Sequence, residues 1–289
     1  MTYRKVFRQF FLDPLEATPL LIVYGFLKII PLEAASFFMG KVARFFGSWL
    51  PVSQVGRKNL KMAFPEKTSQ EIEVILKGVW ENMGRVIGEL PHIEKISSSK
   101  KYLETVHLDI LKEARDDQRP GIFFTAHLGS WELPHMVAVE NNLPICLVGR
   151  YPNNWILACL VKKIRSHPLV KSVPKGAEGS KDIIRVLKNK GHLGLVIDQR
   201  LSEGKALSFF NHPALTAIGP ARLAYKYKAP FIPTRVERLK GCKFRVTFYP
   251  PMKLDKTPEE TMKEVNKIIE KWIREKPDQW LWLHNRWKP

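Results

Sequence analysis

His127 and Glu132 stand five residues apart in FFTAHLGSWELPHM (Phe123–Met136), after an apolar run and across a Gly-Ser pair. A histidine with a nearby carboxylate makes a base, because the carboxylate orients the ring, selects its tautomer and favours the imidazolium that forms when it takes a proton. On a continuous helix, at about 100° per residue, positions five apart lie about 140° from one another and do not face each other. Gly129 changes that by permitting a turn between a strand and a helix. Ser130 can then cap the helix, leaving Glu132 in its first turn, within reach of the imidazole. The other reading is that Glu132 only complements the helix dipole. Spacing leaves both open.

Three apolar runs end on polar residues: GIFFTAH on His127, PICLVGR on Arg150, and HLGLVIDQR on Asp198, Gln199 and Arg200. Ligands of open α/β sheets gather at the carboxyl ends of strands, so these ends offer a base, a cation and a carboxylate. Ser130 and Cys146 are weak candidates for a covalent nucleophile, one being better used as a cap and the other lying inside an apolar strand that disfavours a thiolate. Cys146, Cys159 and Cys242 are far apart and fit neither a disulfide framework nor a zinc site. They point to a reducing compartment, and no metal or cofactor is expected.

The elements that position these residues follow from patterning. Thr68–Glu71 is a capping box, after which Ile72, Ile75, Leu76, Val79 and Met83 recur at helical spacing. Past residue 105 short β-rich runs alternate with helices: GIFFTAH, a helix over 131–141, PICLVGR, a helix over 180–191 closed by Gly191, and HLGLVIDQR. APFIPTRVERL and CKFRVTFYPP read as a hairpin turning at Lys240-Gly241. Thr257–Glu260 caps a last helix that Pro277 stops. The alternation predicts an α/β fold with a mixed, mostly parallel central sheet flanked by helices.

Ahead of this, Arg4, Lys5 and Arg8 precede two apolar stretches, 19–30 and 32–50, broken by Lys28, Pro31, Glu33, Lys41 and Arg44. A spanning helix wants about 20 apolar residues without charges. Two amphipathic helices lying in a membrane interface fit better, and a pair of core helices is the alternative. The chain thus divides into membrane-associated helices over 1–55 and a catalytic domain over 56–289.

With 47 Lys+Arg against 28 Asp+Glu, a net charge of +19, the surface attracts polyanions: nucleic acid, anionic lipid or an acidic carrier protein. No glycine-rich phosphate loop, RNP motif or zinc-finger spacing supports nucleic acid. A non-catalytic membrane scaffold is a further alternative.

H-x-x-x-x-E is also the motif of the lysophospholipid-acyltransferase superfamily. In order along the chain, RKNLKMAFP (Arg57–Pro65), HLGSWE (His127–Glu132), Arg150, IDQR (Ile197–Arg200), FFNHPALT (Phe209–Thr216) and WLWLHNRWKP (Trp280–Pro289) resemble the late acyltransferases of lipid A biosynthesis. Asn211 departs from that family's usual glycine, and tolerates a left-handed turn better than most residues. The resemblance implies transfer of an acyl chain from acyl carrier protein to a hydroxyl of an acylated lipid A precursor, on the cytoplasmic face of the inner membrane, among anionic lipids. His127 is then the base and Glu132 its partner. Arg150 or N–H groups near Gly129 are oxyanion donors, and Asp198 positions Arg150 or a substrate group. Gln199 and Thr216 join the site through the matched segments. Lys162, Lys163, Arg165, Lys171 and Lys175 could steer the acidic substrates. Arg286 and Lys288 could contact substrate or merely cap the terminus. Trp280, Trp282 and Trp287 could line an acyl channel, sit at the interface or pack in the core. The same dyad would serve another glycolipid or a lysophospholipid.

Overall fold

The structure, a computed structural model, describes Arg8 and residues 12–287. Its strands are β1 (Leu103–Val106), β2 (Gly121–Thr125), β3 (Ile145–Gly149), β4 (Val170–Pro174), β5 (His192–Val196), β6 (Lys205–Phe209), β7 (His212–Thr216), β8 (Phe231–Lys240) and β9 (Lys243–Phe248). Its helices are α1 (Asp13–Ile29), α2 (Leu32–Phe46), α3 (Ser53–Ala63), α4 (Ser69–Glu89), α5 (Ile93–Ser97), α6 (Leu108–Asp116), α7 (Leu133–Glu140), α8 (Trp155–Ile164), α9 (Ala177–Lys188), α10 (Gly219–Tyr227) and α11 (Pro258–Glu275).

Seven strands form one sheet in the order β1-β9-β8-β2-β5-β3-β4, while β6 and β7 pair apart from it. Every pairing in the large sheet is parallel except β8–β9. The mixed, mostly parallel sheet flanked by helices is therefore the observed architecture. β2 is buried throughout because both its faces are covered. Ile122, Phe124, Leu193 and Leu195 pack on one face with Leu60, Leu76 and Val265. Phe123, Ile145 and Ile232 pack on the other with Leu111 and Met136. From β2 the chain continues to β3, and from its neighbour β5 to β8, in opposite directions across the sheet. Connections that leave adjacent strands in opposite directions open a crevice at the carboxyl ends of the two strands, where His127 and Asp198 stand.

Both capping boxes are formed, at Thr68 with Glu71 and at Thr257 with Glu260. Helix α9 ends at Lys188 with Asn189 as its C-cap, and Lys190 rather than Gly191 is left-handed. The β6–β7 hairpin has a two-residue loop in which Phe210 and Asn211 both have positive φ, 51° and 60°. A tight hairpin turn of this hand suits asparagine.

At the N-terminus, Pro31 pushes Ile30 into an extended conformation that separates α1 from α2. α2 lies against α4, crossing the boundary drawn from sequence at residue 55. The close approach depends on Gly84, where a Cβ would fall 2.2 Å from the Met39 carbonyl oxygen. Glu89 on α4 accepts from Ser36 on α2 and from Arg238 on β8, a buried tie between the N-terminal helices and the sheet. Of the 19 large apolar side chains exposed among the described residues, 15 fall between Leu12 and Val52. No described helix is long and apolar enough to cross a membrane. Arg4, Lys5 and Lys288 lie outside the described residues.

Candidate active site

His127 follows β2 by two residues and Asp198 follows β5 by two, so the parallel pairing of those strands sets the side chains next to one another. Asp198 Oδ1 accepts from His127 Nδ1 at 2.7 Å, and Oδ2 accepts from the His127 backbone N–H at 2.9 Å and from the Trp280 indole at 2.6 Å. Burial pushes the Asp198 carboxyl up, but the His127 imidazole and the hydrogen bonds outweigh it and hold the pKa well below the usual carboxylate range. An ionised carboxylate only accepts. The proton of neutral His127 therefore resides on Nδ1, and Nε2 keeps its lone pair. This is the arrangement that the sequence analysis assigned to Glu132.

Glu132 is placed differently. Gly129 adopts the left-handed φ of 53° expected of the turn, but that turn carries the chain away from the imidazole. α7 starts at Leu133, with Glu132 at its N-cap position and no side-chain cap. Ser130 does not cap the helix. It is buried, and its carbonyl accepts from the Leu133 N–H. The Glu132 carboxylate is gripped by the Arg165 guanidinium, with Nε donating at 2.9 Å and Nη2 to the other oxygen, and lies 3.7 Å from His135 Nδ1. Burial pushes Glu132 up, and Arg165 offsets this to leave it below the usual range. His127 contributes weakly to that lowering without a hydrogen bond. A guanidinium offers two parallel donors, and Arg165 prevails over a histidine that Asp198 already holds. His135 itself is driven by burial to about 4 and stays neutral.

The turn that carries His127 is fixed from the C-terminal side. Gly129 N–H donates to the Gln279 carbonyl at 3.0 Å and Leu281 N–H to the His127 carbonyl at 3.1 Å. Asn82 Nδ2 reaches the Gly129 carbonyl at 3.4 Å, and Arg238 donates to Asn82 at 2.9 Å. The Gly129 N–H is thus already committed and does not serve as a free oxyanion donor.

His127, Trp131, Arg150, Lys175 and Gln199 share the wall of a cavity of about 270 Å³ that also reaches Glu132, His135 and Arg165 and runs on into apolar side chains. Arg150 is exposed and donates to Asn153 at 2.9 Å. Asp198 makes no contact with it, contrary to the positioning role expected, because all three of its bonds go to His127 and Trp280.

Thr216 lies elsewhere. Fully buried, it accepts from Arg286 Nη2 at 2.9 Å and donates to the Ala214 carbonyl at 3.0 Å. Arg286 is also fully buried, donating to the Leu215 carbonyl, and burial lowers it to about 10. These two residues anchor the C-terminal segment to β7. Trp280 and Trp282 are core residues, with Trp287 packed against them, and Trp280 additionally reaches the site. Asn59, in the first matched segment, donates to the Trp282 and His284 carbonyls at 2.8 and 2.7 Å. Burial pushes the Cys146 thiol up to about 11, unsuited to a nucleophile.

Residues 10–289 match the family described as bacterial lipid A biosynthesis acyltransferase. The chain belongs to that family. It is 25% identical over 242 residues to the lipid A biosynthesis palmitoleoyltransferase of Escherichia coli strain K12, covering 81% of this chain and 78% of that one. A lipid A biosynthesis acyltransferase of Shigella flexneri matches to the same extent. One from Haemophilus influenzae is 21% identical over 266 residues, 89% of this chain and 82% of the relative. Two residues important to this acyltransferase's geometry escaped the sequence reading. Arg165 was grouped with the steering lysines, since a partner 33 residues from Glu132 leaves no local signal. Trp280 was read only as an apolar or interfacial side chain.

Proposed function

We propose that this lipid A biosynthesis acyltransferase moves an acyl chain from an acyl carrier protein thioester to a hydroxyl of an acylated lipid A precursor, with His127 as general base. The supporting observation is the imidazole held by buried, ionised Asp198 at the wall of a cavity that continues into apolar side chains. The hydroxyl gives its proton to His127 Nε2 as its oxygen bonds to the thioester carbonyl carbon. The carbon–sulfur bond then breaks, and the departing sulfur takes the proton from the imidazolium, leaving an ester and a thiol. Asp198 stabilises the imidazolium between these steps. Arg150 and Gln199, on the same wall, supply donors to the carbonyl oxygen. Glu132 and Arg165 form a fixed wall beside them, in which Glu132 acts through Arg165 and the entry to α7. The transfer draws on no cofactor.

The exposed apolar faces of α1 and α2 fit insertion into a membrane interface, and the net positive charge fits anionic head groups on the cytoplasmic side. Burying so much apolar surface in lipid would bring the cavity mouth to a membrane-held acceptor.

The test is mass spectrometry of a tetraacyl lipid A precursor incubated with detergent-purified protein and acyl carrier protein thioesters. A gain of one acyl unit is expected. No gain with any donor, together with acylation of lysophospholipid, would move the assignment to the other acceptor class.

A further inference from the structure

The cavity continues from His127 along the strands, between the sheet and α7. Thr125 pairs with Val196 in the row below His127, and Phe123, Gly194 and Leu147 share the next row. Ile145, paired with His192, lies one row deeper. Phe123, Leu147, Ile145 and Gly194 all line the cavity, as do Ala138 of α7 and Leu111 of α6. Gly194 occupies the middle of β5, and its missing side chain leaves space there. A Cβ at this position would lie 2.9 Å from Leu147 Cδ2 and 3.1 Å from Ile145 Cδ1. Those methyls belong to side chains that line the cavity, so a Cβ at 194 would compete with them for its space.

We propose that Gly194 sets the usable depth of a slot that receives the linear hydrocarbon tail of the donor acyl group. The inference rests on the acyltransferase reading above. The donor suits the slot because its reacting carbon is the end of its chain, so the whole tail can enter from His127. The acceptor hydroxyl belongs to a larger glycolipid that must remain outside. At ~3.3 Å per strand residue, the row of Gly194 lies about 13 Å below His127 and that of Ile145 about 20 Å. An extended alkyl chain, built from bonds of ~1.5 Å, advances about 1.3 Å per carbon. About ten carbons therefore reach Gly194, and about fifteen reach Ile145. With Leu147 and Ile145 in place, the slot fits tails longer than ten carbons only while position 194 has no side chain.

Wild type, Gly194→Ala, Gly194→Val, Leu147→Ala and the double variant Gly194→Ala/Leu147→Ala would be compared with an equimolar mixture of 8- to 16-carbon thioesters. The ratio of 14-carbon to 10-carbon product should fall at least tenfold in Gly194→Ala, fall further in Gly194→Val, and recover in the double variant. Recovery separates loss of space from loss of fold. Thermal shifts with free fatty acids of the same lengths report binding without turnover, and Gly194→Val should lose stabilisation by 14-carbon acid while keeping that by 10-carbon acid. If wild type transfers nothing from any donor, the acyltransferase reading fails and the thermal shifts still judge the slot. An unchanged product ratio in both folded Gly194 variants, or a ratio that follows the acceptor's tail, would overturn the proposal.

Discussion

Replacing Asp198 by asparagine removes one charge while almost preserving shape, and the hydrogen bonds around it determine the outcome. Two N–H groups, from the His127 backbone and Trp280, converge on Oδ2, and one, from the His127 ring, meets Oδ1. An asparagine has one accepting oxygen and one donating nitrogen. With its oxygen turned to the paired donors, its NH₂ faces His127 Nδ1. The opposite rotamer sets the NH₂ against two N–H groups and is worse. The favoured rotamer makes Nδ1 the acceptor and puts the ring proton on Nε2, where it blocks base catalysis. General-base catalysis contributes about 10²–10⁴ in rate, so about 3–5 kcal/mol of the barrier is at stake. Inverting the tautomer in a serine-protease triad costs about 10⁴. Initial rates of precursor acylation, measured by mass spectrometry at saturating substrates, should fall 10²–10⁴-fold in Asp198→Asn. KM should change by less than threefold, and the circular dichroism spectrum should stay native. A folded Asp198→Asn enzyme with kcat within tenfold of wild type would refute the assignment of Asp198 as the residue that sets the tautomer.

Trp280→Phe keeps an aromatic ring, though a smaller one, but removes the indole N–H from Asp198; kcat should drop about tenfold, given about 1.5–3 kcal/mol for a hydrogen bond to a charged group, with little change in KM. Glu132→Gln leaves the Arg165 charge without its carboxylate in a mostly buried position, and calorimetry should show destabilisation of about 3 kcal/mol with the pH dependence of kcat/KM retained. His135 titrates at about 4 in the fold against 6.5 when free, so the unfolded chain binds the extra proton between those values. Its contribution is full above pH 6.5 and is lost as pH falls towards 4, by about 3 kcal/mol at ~1.4 per unit. His192 and His284, also lowered by burial, add to the same slope. Urea titrations from pH 7 to 4 should show a shallower decline in His135→Gln than in wild type.

The sheet, the flanking helices, both capping boxes and the strand-end position of His127 could be read from the sequence because each depends on local pattern. Strands β1 and β4 could not, being short edge strands with little alternation, half exposed and defined by their pairing partners. The carboxylate partner of His127 was misread for a similar reason. Glu132 is close in sequence, whereas Asp198 is 71 residues away and becomes adjacent only when β2 and β5 pair in parallel. Once Asp198 is seen to occupy Nδ1, the competing claim of Arg165 on Glu132 follows from guanidinium geometry. Arg286 was likewise unreadable, because nothing in WLWLHNRWKP indicates that a guanidinium there is fully buried against Thr216.

The central claim is that His127 Nε2 removes the acceptor's proton. Single-turnover acylation of a lipid A precursor by His127→Ala, in detergent, with an acyl carrier protein thioester that wild type uses, tests it most directly. The rate should be at least 10²-fold below wild type, with a native circular dichroism spectrum and fatty-acid binding retained. A His127→Ala rate within tenfold of wild type would contradict it.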